Sequence, residues 1–484
     1  MHPTTGRILI ALSEPGYFRL YGSTITELAR RGWEVDLVFD NPDRRGPGSA
    51  TPADAPPGVR SIGALPDPDL SRSASRRIGL DYLRYLEPDF ADAEYLRRRA
   101  ADRLPSSLSW LTRIKRLPRW VVSWAIAIAR GIDRITPVAQ AMADLIREVR
   151  PAVILVSPMV IIGKSGLRQT ELVRAARAVG VPVIVGVASW DHLTSKGLIR
   201  IVPDAVTVWN EPQALEAVRL HRIPRSRIIV TGAQSLDHWF EPTSPAEERA
   251  FRQTLGIAEG QPVILIVGSS ANIAPGDSEV AFVRRWLAAR QVSASPAVRQ
   301  AFVLFRPHPG NTAPWLEVDL GEPGAVIFPA AYSGMPLSTE EIRTFRYSLA
   351  TSTAVVGINT TAMIEAAIFK KPVFTVRDAA FDHSQTQTLH FGHLAGEQGI
   401  TSTAQTLPEH FAQLDRAFAS EDSGAAAERF VERFVRPLGL GTSATAQLCD
   451  VIASVANRSA TSSAAAMGAP TPGGRASRTM GGQP

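Results

Sequence analysis

Gly357-Ile358-Asn359-Thr360-Thr361-Ala362-Met363-Ile364-Glu365-Ala366-Ala367, continued by Lys371-Pro372-Val373-Phe374-Thr375, reads as strand end, polar turn, helix and second strand. The short apolar run Ala354-Val355-Val356-Gly357 supplies the first strand. Asn359, Thr360 and Thr361 offer N-cap oxygens and open backbone N–H groups at a helix start, where the partial positive charge suits a phosphate. Glu365 follows Thr361 by about one helical turn and lies on the face just inside the turn. A carboxylate there can accept both hydroxyls of a ribose while the threonines hold phosphates. Helix capping alone is the commoner use of such residues.

The same alternation extends through the chain. Ile8 to Leu12 is a strand, the loop Ser13 to Arg19 leads to a helix over Tyr21–Arg31, and Glu34 to Phe39 is a second strand. This is the opening of a doubly wound α/β domain without the G-x-G-x-x-G of a nicotinamide or flavin site. Strands at Ala152 to Val156, Val181 to Val187, Ala205 to Trp209 and Ile228 to Val230 continue the first sheet. A second α/β series begins at Val263 and includes Ala301 to Phe305 and Ala325–Phe328. The predicted fold is α/β, with two Rossmann-like domains facing across a cleft and a C-terminal helix returning to the first. The divisions are 1–235, a linker at 236–262, a second domain at 263–440, a helix at 441–456 and a disordered tail at 457–484. Asn41 to Asp69, rich in Pro, Gly and Asp, reads as loop.

The segment 71–150 reads as a basic helical insertion, carrying Arg97-Arg98-Arg99 and Arg113-Ile114-Lys115-Arg116. Within it Trp120, Val121, Val122, Trp124, Ile126 and Ile128 form a compact apolar block. Two readings stand: a core helix beside a solvated basic neighbour, or a helix lying on an anionic membrane face.

Four loops at strand ends carry the polar chemistry. Ser189-Trp190-Asp191-His192-Leu193-Thr194-Ser195-Lys196-Gly197 follows a strand, and Asp191 or His192 there can act as general base for an acceptor hydroxyl. Gly268-Ser269-Ser270 ends another strand, and its small residues let a phosphate approach backbone N–H groups. Arg306-Pro307-His308-Pro309-Gly310 places a histidine between two prolines that stiffen the loop, where His308 can donate to a diphosphate or protonate a leaving phosphate. The Asn359-Thr360-Thr361 turn is the fourth. Asp382, His383, His390 and His393 are spaced too irregularly for a metal cluster, and neither a metal nor a resident cofactor is expected.

Bulk properties agree with a globular protein. The 484 residues leave room for two or three domains, 45% are hydrophobic, 20% are charged, and mean hydropathy is -0.01. A formal charge of +6 suits an anionic substrate or membrane surface, without the basic stripe and interleaved aromatics of a nucleic-acid binder. Cys449 is the single cysteine, so an internal disulfide is excluded. No apolar run reaches the roughly 18–20 residues that span a bilayer, and a cytoplasmic location, with peripheral contact at the inner membrane face, is the expectation.

Taken together, the three motifs at 190–197, 306–309 and 357–365 resemble those of two-Rossmann-domain (GT-B) glycosyltransferases. More narrowly, they are similar to bacterial capsule and envelope transferases grouped with the CDP-glycerol glycerophosphotransferases and UDP-GlcNAc 2-epimerases. The architectural likeness runs from about Gly6 to Val455, whereas the motifs occupy a small fraction of it. The resemblance implies that His308-Pro309 and Thr360-Thr361 grip the phosphates of a nucleotide-activated donor, with Ser269, Ser270, Arg306 and Asn359 nearby. It implies that Glu365 holds the ribose and that Asp191 activates a glycan or lipid-linked acceptor. The set of N-terminal acidic residues that epimerases place around the sugar has no counterpart here. A 2-epimerase and a non-catalytic nucleotide-binding partner of a polysaccharide assembly complex remain the alternatives.

Overall fold

The computed structural model describes residues 6–41, 55–162, 166–333, 337–420 and 424–467. The first sheet is formed by β1 (Gly6–Leu12), β2 (Trp33–Phe39), β3 (Val59–Ala64), β4 (Val153–Ser157), β5 (Val183–Gly186), β6 (Ala205–Val208) and β7 (Ile228–Val230). Its order is β3-β2-β1-β4-β5-β6-β7, with every pairing parallel. The second comprises β8 (Val263–Val267), β9 (Phe302–Arg306), β10 (Ala325–Ile327), β11 (Ala354–Gly357), β12 (Val373–Val376) and β13 (Thr401–Ala404), in the order β10-β9-β8-β11-β12-β13, again all parallel. Each sheet reverses its winding once, between β1 and β4 and between β8 and β11. In such sheets the crevice beyond the strand carboxyl ends at that reversal is where ligands settle.

Helices cover both faces of each sheet, which is why the central strands read as continuous apolar runs. Alternate residues of β1 serve opposite sides. Leu9 and Ala11 pack toward α5 (Gln140–Val149) and α6 (Leu167–Val179), while Ile8, Ile10 and Leu12 meet Tyr21, Ile25 and Leu28 of α1 (Phe18–Arg30). Between β3 and α5 the chain inserts α2 (Ala74–Arg84), α3 (Glu94–Ala101) and α4 (Arg119–Ile135). After β5 and β6 come the single turn α7 (His192–Ser195) and α8 (Glu211–His221), followed by α9 (Pro245–Thr254) on the way to β8. The second domain adds α10 (Ser278–Gln291), α11 (Pro296–Gln300), α12 (Thr339–Thr351), α13 (Ala362–Ile368), α14 (Phe391–Ala395), α15 (Leu407–Ala419) and α16 (Ala425–Phe434). Finally α17 (Ala444–Met467) crosses back to the first sheet, where Leu448, Cys449 and Ile452 join the core beneath α1. The expected architecture, two Rossmann-like domains across a cleft with a returning C-terminal helix, is the one observed.

Three expectations need correction. Val59–Ala64, inside the stretch read as loop, pairs as an edge strand along β2; residues 42–54 lie outside the described ones. Its Val-Arg-Ser-Ile-Gly-Ala sequence carries few large apolar groups because an edge strand buries little of itself. The helix expected to end at 456 runs on to Met467, consistent with the high helix propensity of its alanines; residues 468–484 lie outside the described ones. The apolar block of α4 is neither wholly core nor wholly exposed. Val122, Ile126 and Ala129 are buried, while Trp120, Trp124 and Ile128 face outward.

The domains share a core. Trp190, Trp209, Leu236 and Trp239 pack in one apolar cluster with Met363, Phe430 and Phe434. Asn210 Nδ2 donates to the Phe434 carbonyl at 2.8 Å, and His393 Nε2 lies 2.7 Å from Glu216 Oε1. The histidines of 383–393 thus serve the contact between domains: His390 also meets the Trp190 ring edge-on at 5.0 Å, and the His383 ring meets Tyr95.

Candidate active site

The two winding reversals face one another across a cleft of about 460 Å³, a size suited to a small organic ligand. From the first domain, the β1–α1 loop contributes Glu14, Tyr17 and Arg19, and the loop after β5 contributes Ser189, Asp191, His192 and Lys196. From the second come Gly268 after β8, His308 and Pro309 after β9, and Thr360, Thr361 and Glu365 after β11. Trp239, Tyr332 and Phe345 close the apolar side.

Gly268 explains how two of these loops come so close. Its amide donates to the Arg306 carbonyl at 2.8 Å, and a Cβ there would stand 2.7 Å from the His308 nitrogen and 3.0 Å from the Arg306 oxygen. Only a glycine admits that backbone approach. In the next loop, the Gly310 amide donates to His308 Nδ1 at 2.9 Å. That bond puts the imidazole proton on Nε2 and makes Nε2–H a donor. Tyr332 braces the same loop through a 3.0 Å bond from its hydroxyl to the Pro307 carbonyl.

Arg306 lines the cleft, but its guanidinium is engaged in the fold. It donates to Ser348 Oγ, the Glu341 carbonyl and Thr344 Oγ1 at 3.0–3.1 Å, with the Phe345 ring 5.0 Å away. Burial lowers its pKa. Its role is to hold the His308 loop in place rather than to present charge.

Ser269, Ser270 and Asn359 depart from expectation. Ser269 is fully buried: its amide donates to Glu279 Oε1 at 2.8 Å and its carbonyl accepts from Asn311. Ser270 turns its carbonyl into the following helical turn, toward the amides of Ile273 and Ala274. Asn359 points into the second domain, donating to the Ser384 carbonyl at 2.6 Å. None of the three is among the residues that line the cleft. Thr361 is also not the expected cap. It occupies the N-cap position in helical geometry without a side-chain cap bond, and its Oγ1 accepts from Trp190 Nε1 at 3.1 Å. The hydroxyl therefore ties the turn to the opposite domain.

Glu365 lies on the inner face of α13, partly buried, and accepts a hydrogen bond from Trp239 Nε1 at 3.2 Å. Burial raises its pKa to about 7, against the opposing pull of the Trp239 bond and of Arg19. Asp191 has the opposite electrostatics. Burial pushes its pKa up, but Lys196 at 3.8 Å, neighbouring His192 and His390, and the Ser189 hydroxyl outweigh this and hold it far below the usual carboxylate range. Ser189 Oγ donates to one of its oxygens at 2.6 Å and Ser195 Oγ to the other at 2.7 Å. A carboxylate so well satisfied is a fixed negative charge with little affinity for a proton. His192, beside it, is buried with a pKa lowered to about 4 by desolvation. Its Nδ1 has no hydrogen-bond partner among the described residues.

The structure therefore gathers Asp191, His308, Thr360, Thr361 and Glu365 at one cleft, with Arg306 behind it. Glu14, Tyr17, Arg19 and Trp239 also line it, and no motif in the sequence marks them. The available signal was position: Ser13 to Arg19 follows the central strand at the winding reversal.

No family model matches the chain, and no curated protein does. Among solved structures, the chain is similar to a glycosyltransferase from Rickettsia africae ESF-5, with 10% identity over 93% of this chain and 99% of that one and a TM-score of 0.48. It is similar to Anabaena Alr3699/HepE in complex with UDP, with 12% identity, coverage of 93% and 100% and a TM-score of 0.49. A third is UDP-GlcNAc 2-epimerase from Methanocaldococcus jannaschii, with 13% identity, coverage of 88% and 98% and a TM-score of 0.45.

Proposed function

We propose that this protein transfers a glycosyl (or polyol-phosphate) unit from a nucleotide-activated donor to a cell-envelope polysaccharide or related acceptor. The observation that carries the reading is the opposition, across one cleft at two winding reversals, of a phosphate-type donor set and an acid–base set. His308 Nε2–H and the hydroxyl of Thr360 would neutralise the nucleotide phosphates, with Lys196 and Arg19 facing them from the other domain. Glu365 would accept from the ribose hydroxyls. In transfer, the acceptor oxygen bonds to the activated carbon (or phosphorus), the bond to the nucleotide phosphate breaks, and its electron pair leaves on that phosphate. The acceptor proton passes to a first-domain group. Asp191 is the first-domain carboxylate that lines the cleft, and the Nδ1 of His192, without a hydrogen-bond partner among the described residues, is the more basic site beside it. Such stabilisation of the leaving phosphate needs no metal.

The test is a thermal-shift panel of nucleoside diphosphates and nucleotide sugars with and without EDTA, since a ligand bound only by the folded state raises the melting temperature. One nucleotide should give a selective, EDTA-insensitive shift. His308→Ala should weaken the diphosphate by about tenfold, the loss of one charge-assisted hydrogen bond. Donor turnover to UDP-ManNAc from UDP-GlcNAc without any acceptor would instead establish the epimerase. No shift by any nucleotide would remove the donor-site assignment.

A further inference from the structure

Six large apolar side chains exposed on this protein fall between Trp110 and Ile135. On α4, Trp120, Trp124, Ile128 and Ile135 are 66%, 65%, 58% and 84% exposed. At 100° per residue they occupy an arc of about 80°; Gly131 falls inside it and Ala127 at its edge, so no polar side chain interrupts it. Val122, Ile126, Ala129 and Asp133 form the opposite, buried face. The helix is thus apolar on both sides. Single exposed apolar residues are ordinary, but a contiguous strip with two tryptophans marks an interaction surface.

The charge beside this strip identifies its partner. Arg113, Lys115 and Arg116 lie just ahead of α4 and Arg134 lies on the margin of the strip. All four are exposed, and none has an ion pair among the described residues. Asp133, the acidic residue of this segment, is buried and bonded to Arg76 and Arg77. A sheet of anionic headgroups above acyl chains matches both halves: cations at the phosphate level, tryptophans at the interface, isoleucines below.

We propose that the outward face of α4 is a docking surface for an anionic lipid bilayer. The helix lies in the plane of the interface, and no helix among the described residues is long and apolar enough to cross it. Its inward face packs on Leu80 and Leu198, and Arg130 donates to the carbonyls of Ile199 and Arg200. Docking therefore fixes the chain immediately after the cleft loop that ends at Gly197.

The experiment is sucrose-gradient flotation of the full chain at low salt. The vesicles are phosphatidylcholine alone, or phosphatidylcholine with about one-third phosphatidylglycerol, a fraction that gives a substantial negative surface potential. The chain should float with the anionic vesicles and be released by high salt. Trp120→Ser with Trp124→Ser should lower the partition by at least about tenfold at an unchanged melting temperature, because both rings are already exposed. Arg113→Gln, Lys115→Gln and Arg116→Gln together should remove the preference for anionic over neutral vesicles. Failure of the parent chain to float, or undiminished flotation of the tryptophan variant, overturns the proposal. So does a dimer seen by light scattering without vesicles that the tryptophan variant dissolves, which would give the face to a second copy. Vesicle binding is read without turnover, so it stands apart from the glycosyl-transfer reading.

Discussion

At Glu365 a carboxyl group at the cleft wall carries a pKa of about 7 because burial disfavours its charge more than Trp239 and Arg19 favour it. Its proton is held more tightly folded than unfolded. The stability this contributes is complete below about pH 4.5 and is lost as pH rises through 7. Glu365→Gln, which cannot ionise, should match the parent protein near pH 4.5 and exceed it by about 3 kcal/mol at pH 8, as read from urea unfolding. The same variant should bind nucleosides more weakly, separating a stability gain from a binding loss. An unchanged pH profile would mean that the carboxylate is solvated. The loops that carry such residues are legible in the sequence, because prolines, glycines and small polar residues stand out between apolar runs. Which side chain of a loop enters the cleft is not. Ser269 turns away toward Glu279 and Asn359 toward Ser384, partners 10 and 25 residues distant along the chain. Only packing decides that direction.

Among the elements, the Trp190–Thr361 hydrogen bond joins the loop after β5 to the turn before α13, so one bond links the two domains at the cleft. Trp190→Phe keeps most of the ring but removes the donor. It should cost about 1 kcal/mol in stability, the net worth of one such bond, and reduce transfer more than nucleotide affinity. Comparing calorimetric stability with kcat and nucleotide Kd would check this; equal losses in kcat and affinity would make the bond a donor-site feature only. Central strands declare themselves from sequence because both of their faces are buried, as in Ile8 to Leu12 and Val263 to Val267. The edge strands β3 and β13 do not. Thr401–Ala404 is only partly buried, and its polar residues read equally well as a turn. Helix α4 is the converse case: its apolar residues were evident, while their division into a buried and an outward face depended on Leu80 and Leu198, which lie far from it in sequence.

As a whole, the molecule is built around a core that neither half owns. Trp209 of the first domain meets Phe434 edge-on with ring centroids 6.5 Å apart, and Phe434 stacks on Phe430 at 5.1 Å. Because these rings belong to one apolar cluster with β8 and β11 residues, the halves should unfold together in a single calorimetric transition. Phe434→Ala should cost about 3–5 kcal/mol and broaden or split that transition; two resolved transitions in the parent protein would contradict the shared core. The chain passes between the halves twice, and the passages are adjacent: the Ala233 amide donates to the Val435 carbonyl at 2.9 Å, and a Cβ on Gly232 would press on Ala444 and Val435. With α17 returned beneath α1, the second domain is topologically a guest spliced into a host. A chimaera that exchanges the second domain should therefore be built by replacing the interior cassette between these two passages, whereas a cut at the linker followed by end-to-end fusion would strip the host sheet of its last helix.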